Sequence, residues 1–180
     1  YRQTLPVMLI ALLGGLIAGL LLEEVLVVIE RLPGLLVMIP VFLATRGNVY
    51  AALGGRIASG LHQGLISPHF RRDPRLIQAI MGSFINAIAV AIVIAMISWI
   101  SLMLLGRPTA SLIELIVIML IASGLAASVL IGGLLSIIFT GYRRGIDPDN
   151  LVGPVVTTLG DIFGMVFIVI AVIIVEGMQL

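Results

Sequence analysis

Residues 79–106 read AIMGSFINAIAVAIVIAMISWISLMLLG, a run that contains no charged side chain. A run of about 20 apolar residues is long enough to cross the hydrocarbon core of a bilayer as an α-helix. The apolar residues of this run do not alternate with polar ones, as they would in a strand of a transmembrane β-barrel. The stretch therefore predicts a transmembrane helix and an all-α fold.

The rest of the chain has the same apolar character. Of its 180 residues, 61% are hydrophobic and only 11% are charged, and the mean hydropathy is +1.26. Soluble domains carry about 25% charged residues, so this composition would expose too much apolar surface in water. The formal net charge of +1 gives no basic face for nucleic acid, and no cysteine is available to bind a metal. We expect a polytopic membrane protein that binds no nucleic acid.

Polar interruptions divide the chain into five predicted spans within a single transmembrane domain, residues 1–180. The spans cover about residues 4–28, 34–65, 76–105, 111–140 and 151–176. The second span is long and is interrupted by Arg46-Gly47-Asn48. We expect it to be kinked there or to continue as a helix along the inner interface.

The arginine residues predict the orientation of these spans. Those that fall on one side of the membrane are Arg2, Arg71, Arg72, Arg75, Arg143 and Arg144. The positive-inside rule places this side and the N-terminus in the cytoplasm, and an odd number of spans then places the C-terminus outside. We expect a multi-pass protein of the plasma membrane, of a prokaryotic cell.

Asp161 stands alone among apolar residues in the fifth span. Counting from Asn150 places it roughly 16 Å along the helix, near the middle of a hydrocarbon core of about 30 Å. An ionisable side chain at this depth costs several kcal/mol, which makes it a functional candidate. Pro154, Thr157 and Gly164 recur on the same helical face and add hydroxyl and backbone oxygens.

This set of hard oxygen ligands predicts a particular kind of cation. Oxygen donors suit Mg²⁺, with Mn²⁺ and Ca²⁺ as alternatives, rather than Zn²⁺ or Cu⁺. Mg²⁺ keeps several of its waters and touches one or two carboxylates, so a second chain would supply the twin of Asp161. The other reading is a protonated or hydrogen-bonded Asp161 that only joins helices.

Gly47 and Asn48 are the second polar feature inside the membrane. Asn48 lies about 22 Å along the second span from Pro33, within reach of the depth of Asp161. Two opposite spans that are each interrupted by a Gly-polar pair are typical of an ion site at the membrane midplane. The charge of Arg46 would repel a cation, so we expect its side chain to point away from the pore.

Asp147 and Asp149 precede the fifth span at the inner face. Acidic groups at a pore mouth concentrate cations. The alternative is a solvated turn in which Asp149 or Asn150 caps the helix. His62 and His69 lie near the same face without metal-ligand spacing, and we treat them as structural.

Two stretches of the chain resemble a known family. Residues 145–161, GIDPDNLVGPVVTTLGD, resemble the fifth-helix motif of the MgtE magnesium channels and the related animal solute-carrier magnesium transporters. Residues 39–48, IPVFLATRGN, resemble their second-helix Gly-Asn signature, except that Arg46 stands where the bacterial motif commonly has a small residue. The resemblance implies a homodimer with one pore between the protomers, lined by the second and fifth helices, that passes largely hydrated Mg²⁺.

The resemblance also implies roles for individual residues. Asp161 would be the central pore carboxylate, and Asp147 would belong to a cation site at the cytoplasmic mouth. The remaining residues that would contact the ion or its water shell are Thr157, Gly164, Gly47 and Asn48. Bacterial members also carry a cytosolic regulatory domain, so we expect this chain to be an isolated transmembrane domain or a half-size member regulated by a separate domain or subunit.

The leading prediction is therefore a Mg²⁺ channel or transporter in contact with the lipid bilayer, and not an enzyme. One deep Asp and no deep His provide no nucleophile and base at the same depth. One alternative is a transporter of another substrate in which Asp161 carries protons. The other is a scaffold subunit that binds a membrane protein through its stripes of small residues, such as Gly54 with Ala58.

Overall fold

The protein folds into five α-helices. In the computed structural model, residues 4–29, 32–69 and 73–178 are described. The helices are α1 (Thr4–Ile29), α2 (Leu35–His62), α3 (Pro74–Leu104), α4 (Leu112–Arg143) and α5 (Pro148–Gly177). The described residues contain no β-strand. The predicted all-α fold is confirmed, and each helix end lies within three residues of the predicted span.

Four of the five helices qualify as membrane spans by their length and composition. These are α2 to α5, whereas the apolar segment found in the described part of α1, Met8–Glu23, is shorter. Arg75 at the start of α3 and Arg143 at the end of α4 are exposed. Arg2, Arg71 and Arg72 lie outside the described residues, so the orientation of the spans stays a prediction.

Local sequence signals set where the helices begin. The Asp73 carboxylate caps α3 by accepting a hydrogen bond from the backbone N–H of Arg75 at 2.8 Å. Ser111 and Glu114 form a capping box at α4, each accepting a hydrogen bond from the backbone N–H of the other at 3.2 Å and 2.8 Å. Gly145 has a φ of 75°, which lets the chain reverse after α4 so that α5 begins three residues later.

The Gly-polar pairs of α2 and α5 do not break these helices. The helix continues through Gly47-Asn48 in α2 and through Gly160-Asp161 in α5. The discontinuity predicted at these pairs is therefore wrong, whereas the continuation of α2 as a helix is one of the two forms expected of it. Packing of neighbouring residues such as Val49 and Tyr50, both buried in the core, outweighs the weak helix propensity of Gly and Asn.

The core of the bundle consists of two separate clusters of buried apolar residues. One lies toward the end of the bundle where α2 ends and α5 begins, which we call the Asp147 end. Its buried members include Leu53, Ile57, Leu134, Phe139 and Val156. The other lies toward the opposite end and includes Leu35, Phe42, Ile118, Met165 and Val172. Residues 43–48 of α2 and 157–164 of α5 supply no buried member to either cluster, although the partly buried Leu43 and Leu159 pack against them.

Close approach of α1 and α2 to α5 depends on small residues. A side chain at Gly54 would meet Val152 within 2.5 Å, and one at Gly14 would collide with Thr158. The rest of α1 presents large apolar side chains outward, with Leu12 71% exposed and Ile10 63% exposed. Such a face suits lipid contact, so α1 packs at the edge of the bundle against α5.

Candidate functional site

A layer of polar groups crosses the bundle between the two apolar clusters. Its members on α2, α4 and α5 are Arg46, Ser123 and Asp161. Ser123 is buried and its hydroxyl donates to the Ala87 carbonyl of α3 at 3.0 Å. Ser123 therefore satisfies its own hydrogen bond between helices, whereas Arg46 and Asp161 carry the charge of this layer.

Asp161 lies near the middle of α5, about 20 Å from its beginning at Pro148. Its side chain is half-buried, so the carboxylate reaches the surface of the single chain. Thr157 lies one turn earlier and is exposed, and its hydroxyl donates to the Gly153 carbonyl at 2.9 Å. The Thr157 oxygen keeps lone pairs that can accept a hydrogen bond from a water bound to a cation.

Arg46 joins α2 to the turn of α5 that carries Asp161. Its Nη1 donates to the Gly160 carbonyl at 3.2 Å, and its Cζ lies 4.1 Å from the centre of the Phe42 ring. The side chain is 3% exposed. Arg46 therefore points into the interior of its own chain, and no hydrogen bond or ion pair joins it to the Asp161 carboxylate among the described residues.

The contact between Arg46 and Gly160 fixes the relative heights of α2 and α5. Because Gly47 and Asn48 directly follow Arg46, they lie at the same level of the bundle as Asp161. Asn48 is exposed and Gly47 is half-buried. The part of the chain that the structure describes holds no hydrogen bond between Asn48 and Asp161. The two residues thus share a depth and stay apart within one chain.

Gly164 occupies a different position from the other candidate residues. It is buried, and a side chain there would meet Nη1 and Nη2 of Arg46 and Cδ2 of Leu43, each at 2.6 Å. Gly164 thus makes room for the guanidinium group of Arg46. This side of the glycine faces the interior of the chain, whereas Thr157 and Asn48 are exposed.

A second group of charged residues lies at the Asp147 end. His62 Nε2 is 3.4 Å from Asp147 Oδ1 and 3.9 Å from Asp149 Oδ2, and the ligand atoms of these three residues lie within 4.8 Å of one another. All three side chains are exposed. The group, which we call the His62 cluster, has the residue types and spacing to hold a metal ion.

The fold explains why these three residues come together. Asp147 caps α5 by accepting a hydrogen bond from the backbone N–H of Asp149 at 3.0 Å, so the cap is not Asp149 or Asn150, as the alternative interpretation had it. His62 is the last residue of α2. The Tyr142 ring packs edge-on against the His62 ring, with 6.2 Å between the ring centroids. The sequence interpretation of His62 as only structural missed its place beside Asp147, although both residues lie near the ends of predicted spans on the same side.

The fold and these two charged sites define a polytopic helical membrane protein with acidic groups at mid-depth and at one end of the bundle. A family model described as MgtE, divalent cation transporter, matches residues 39–171, which include the polar layer and the His62 cluster. The chain belongs to this family, whose members are transporters and not enzymes. No solved structure matches the chain. The protein is a multi-pass membrane protein of the divalent cation transporter class.

Proposed function

We propose that this protein conducts Mg²⁺ across the plasma membrane as a homodimer, with the two Asp161 side chains facing each other across a central pore. The observation that carries the proposal is the half-buried Asp161 at the middle of a span, within a layer that separates two apolar clusters. A carboxylate placed there for packing alone would cost free energy. A cation between two such carboxylates offsets that cost.

The charge of the ion requires a second copy of the chain. A divalent cation in a low-dielectric region is poorly balanced by one carboxylate, and Asp161 is the one acidic residue at this depth of the described helices. Two Asp161 side chains supply two negative charges. They also match the way Mg²⁺ binds in proteins, with one or two carboxylates and several retained waters.

The exposed face of α2 suits the packing of two chains around a narrow path. Small exposed or half-exposed residues recur along it: Ala44, Gly47, Ala51, Ala52 and Gly55. Small residues let membrane helices approach closely, and they leave the backbone open to water. The exposed amide of Asn48 on the same helix offers a donor and an acceptor to the water shell of the ion.

The His62 cluster supplies the inner mouth of the proposed pore. Asp147 and Asp149 are negatively charged carboxylates at the end of the bundle that the positive-inside rule assigns to the cytoplasm. Their field raises the local cation concentration. Asp147 Oδ1 is engaged with the backbone of Asp149, which leaves Oδ2 for an ion or its waters.

The proposal is tested by measuring Mg²⁺ uptake into liposomes that contain the purified protein. Asp161→Asn keeps the shape of the side chain and removes its charge, so uptake falls to the level of protein-free liposomes. Glu176→Gln is the matched control, because it removes an exposed carboxylate at the far end of α5. Uptake by Asp161→Asn equal to that of Glu176→Gln, with both variants folded, contradicts the proposal.

A further inference from the structure

Arg46 is the one charged side chain among the buried residues of the described part of the chain. A buried charge in a membrane protein is costly unless it is paired and fully hydrogen-bonded. The visible compensation is one hydrogen bond to the Gly160 carbonyl and the face of the Phe42 ring. One hydrogen bond and one ring contact satisfy only a small part of a guanidinium group, which has five N–H donors.

Two further nitrogen atoms of Arg46 have no hydrogen-bond acceptor in this arrangement of the described residues. Nε and Nη2 are buried and have no hydrogen-bond partner among the described residues, and the same holds for the hydroxyl of Tyr50, one turn further along α2. Unsatisfied buried donors destabilise a fold, so an apolar side chain of similar length would hold α2 and α5 together at lower cost. Packing alone does not account for an arginine here.

The position of the guanidinium group indicates what its charge acts on. It lies against Gly160 and Gly164, which flank Asp161 on the interior side of the same helical turn. Asp161 directly follows Gly160 on this turn, and no direct ion pair joins it to Arg46 among the described residues. The positive charge therefore stands behind the carboxylate, while the carboxylate itself is open toward the surface of the chain.

We infer that Arg46 is a fixed counter-charge that sets how tightly Asp161 holds the transported cation. This inference rests on the proposed role of Asp161 in the pore. An ion must bind well enough to enter a pore and weakly enough to leave it. Arg46 reduces the net negative charge at mid-depth, so the hydrated divalent cation is held loosely and is released. Arg46 acts through Asp161 and is a positioning residue, without contact with the ion.

The test compares two substitutions of Arg46 in the full chain, in liposomes, over a series of Mg²⁺ concentrations. Arg46→Met removes the charge and keeps the length of the side chain. It lowers the half-saturating Mg²⁺ concentration by about tenfold or more and also lowers the maximal rate, because a unit charge on the same helical turn acts strongly at low dielectric. Arg46→Lys retains the charge and keeps the half-saturating concentration within about threefold of the unaltered protein.

A purely structural role of Arg46 gives a different result. The maximal rate then falls while the half-saturating concentration of Arg46→Met stays unchanged, and this outcome overturns the inference. Where Arg46→Met does not fold, Arg46→Gln replaces it, since it also removes the charge and keeps an N–H donor for the Gly160 carbonyl. Its half-saturating concentration falls in the same direction, and an unchanged value overturns the inference.

The failure of this inference can be told apart from the failure of the proposed function. If Asp161→Asn transports Mg²⁺ normally, the proposed pore carboxylate is wrong, and the inference on Arg46 is wrong with it. If Asp161→Asn abolishes uptake but Arg46→Met leaves the half-saturating concentration unchanged, the pore carboxylate stands and only the counter-charge is refuted.

Discussion

The two acidic sites of this molecule differ in their surroundings far more than in their chemistry. At mid-depth, a half-buried Asp161 lies in front of the buried Arg46, between two apolar clusters. At the Asp147 end, the side chains of His62, Asp147 and Asp149 are 48%, 50% and 68% exposed. A carboxylate surrounded by apolar side chains acts on an ion at low dielectric, whereas an exposed one is weakened by water and salt.

Under the proposed function, this difference predicts separate tasks for the two sites. The His62 cluster has three ligating groups but is exposed, so it would attract cations and speed their entry. The mid-depth layer would have one acid from each chain in apolar surroundings, so it would govern which ions cross. The number of carboxylates at a site is therefore a poor guide to its share in transport.

The largest expected effect contrasts one charge removed at each site. Asp161→Asn decreases Mg²⁺ uptake by more than about 100-fold. Mutation of a residue that only hydrogen-bonds to a metal ligand already costs about 10–100-fold in affinity or activity, and loss of the ligand itself should cost more. Asp147→Asn raises the half-saturating Mg²⁺ concentration by less than about fivefold, because exposed charges contribute about 1 kcal/mol or less. Uptake in liposomes at low and high salt measures both.

Salt provides the control for this contrast. Raising the ionic strength from about 0.1 to 1 M shortens the screening length from about 10 to 3 Å, which removes most of the difference between Asp147→Asn and the unaltered protein. The loss caused by Asp161→Asn persists at both salt concentrations. A defect of Asp161→Asn that vanished in high salt would place Asp161 in solvent and remove the distinction between the sites.

A smaller effect is expected from Gly164→Ala on the stability of the bundle. The added methyl group meets the guanidinium of Arg46 and Leu43 at 2.6 Å, and because the ends of these two side chains must shift, we expect a cost at the low end of overpacking, about 1 kcal/mol. Gly124→Ala is the matched control, because a methyl group on that helical glycine meets no atom within 4 Å. In thermal unfolding in detergent, the midpoint of Gly164→Ala is lower than that of the unaltered protein, and the midpoint of Gly124→Ala is not lowered. Equal midpoints would mean that Arg46 is not held against Gly164.

The smallest effect concerns the choice of ion at the His62 cluster. An imidazole nitrogen suits transition metals better than Mg²⁺, which prefers oxygen ligands. His62→Gln therefore weakens the inhibition of Mg²⁺ uptake by Mn²⁺ by about twofold to fivefold, in keeping with an exposed site. His69→Gln, an exposed histidine outside the cluster, is the control. An unchanged inhibition by Mn²⁺ in His62→Gln would exclude His62 as a ligand.

Hydropathy alone predicted most of the fold, because a span must be both long and apolar. The isolation of Asp161 among apolar residues likewise singled it out without any knowledge of tertiary structure. Helix continuity was harder to predict, since Gly47 and Asn48 have low helix propensity and only tertiary packing shows that α2 passes through them.

Contacts between residues that are far apart in the chain could not be predicted from the sequence. Arg46 was expected to point away from the pore, but the sequence did not show that its guanidinium would lie on Gly160 and Gly164 of α5. His62 and Asp147 are separated in the sequence by the whole of α3 and α4, so no local spacing linked them. Only the antiparallel course of α2 and α5 brings the end of one helix to the beginning of the other.

The most direct test of the account is a crystal structure of the protein with Mn²⁺ in place of Mg²⁺, with the ion located by its anomalous scattering. The account predicts an anomalous peak between the Asp161 side chains of two chains, on the axis that relates them, with Arg46 still on the interior side of Gly160. Peaks at the His62 cluster alone, with none near Asp161 in a fully occupied crystal, would contradict the account.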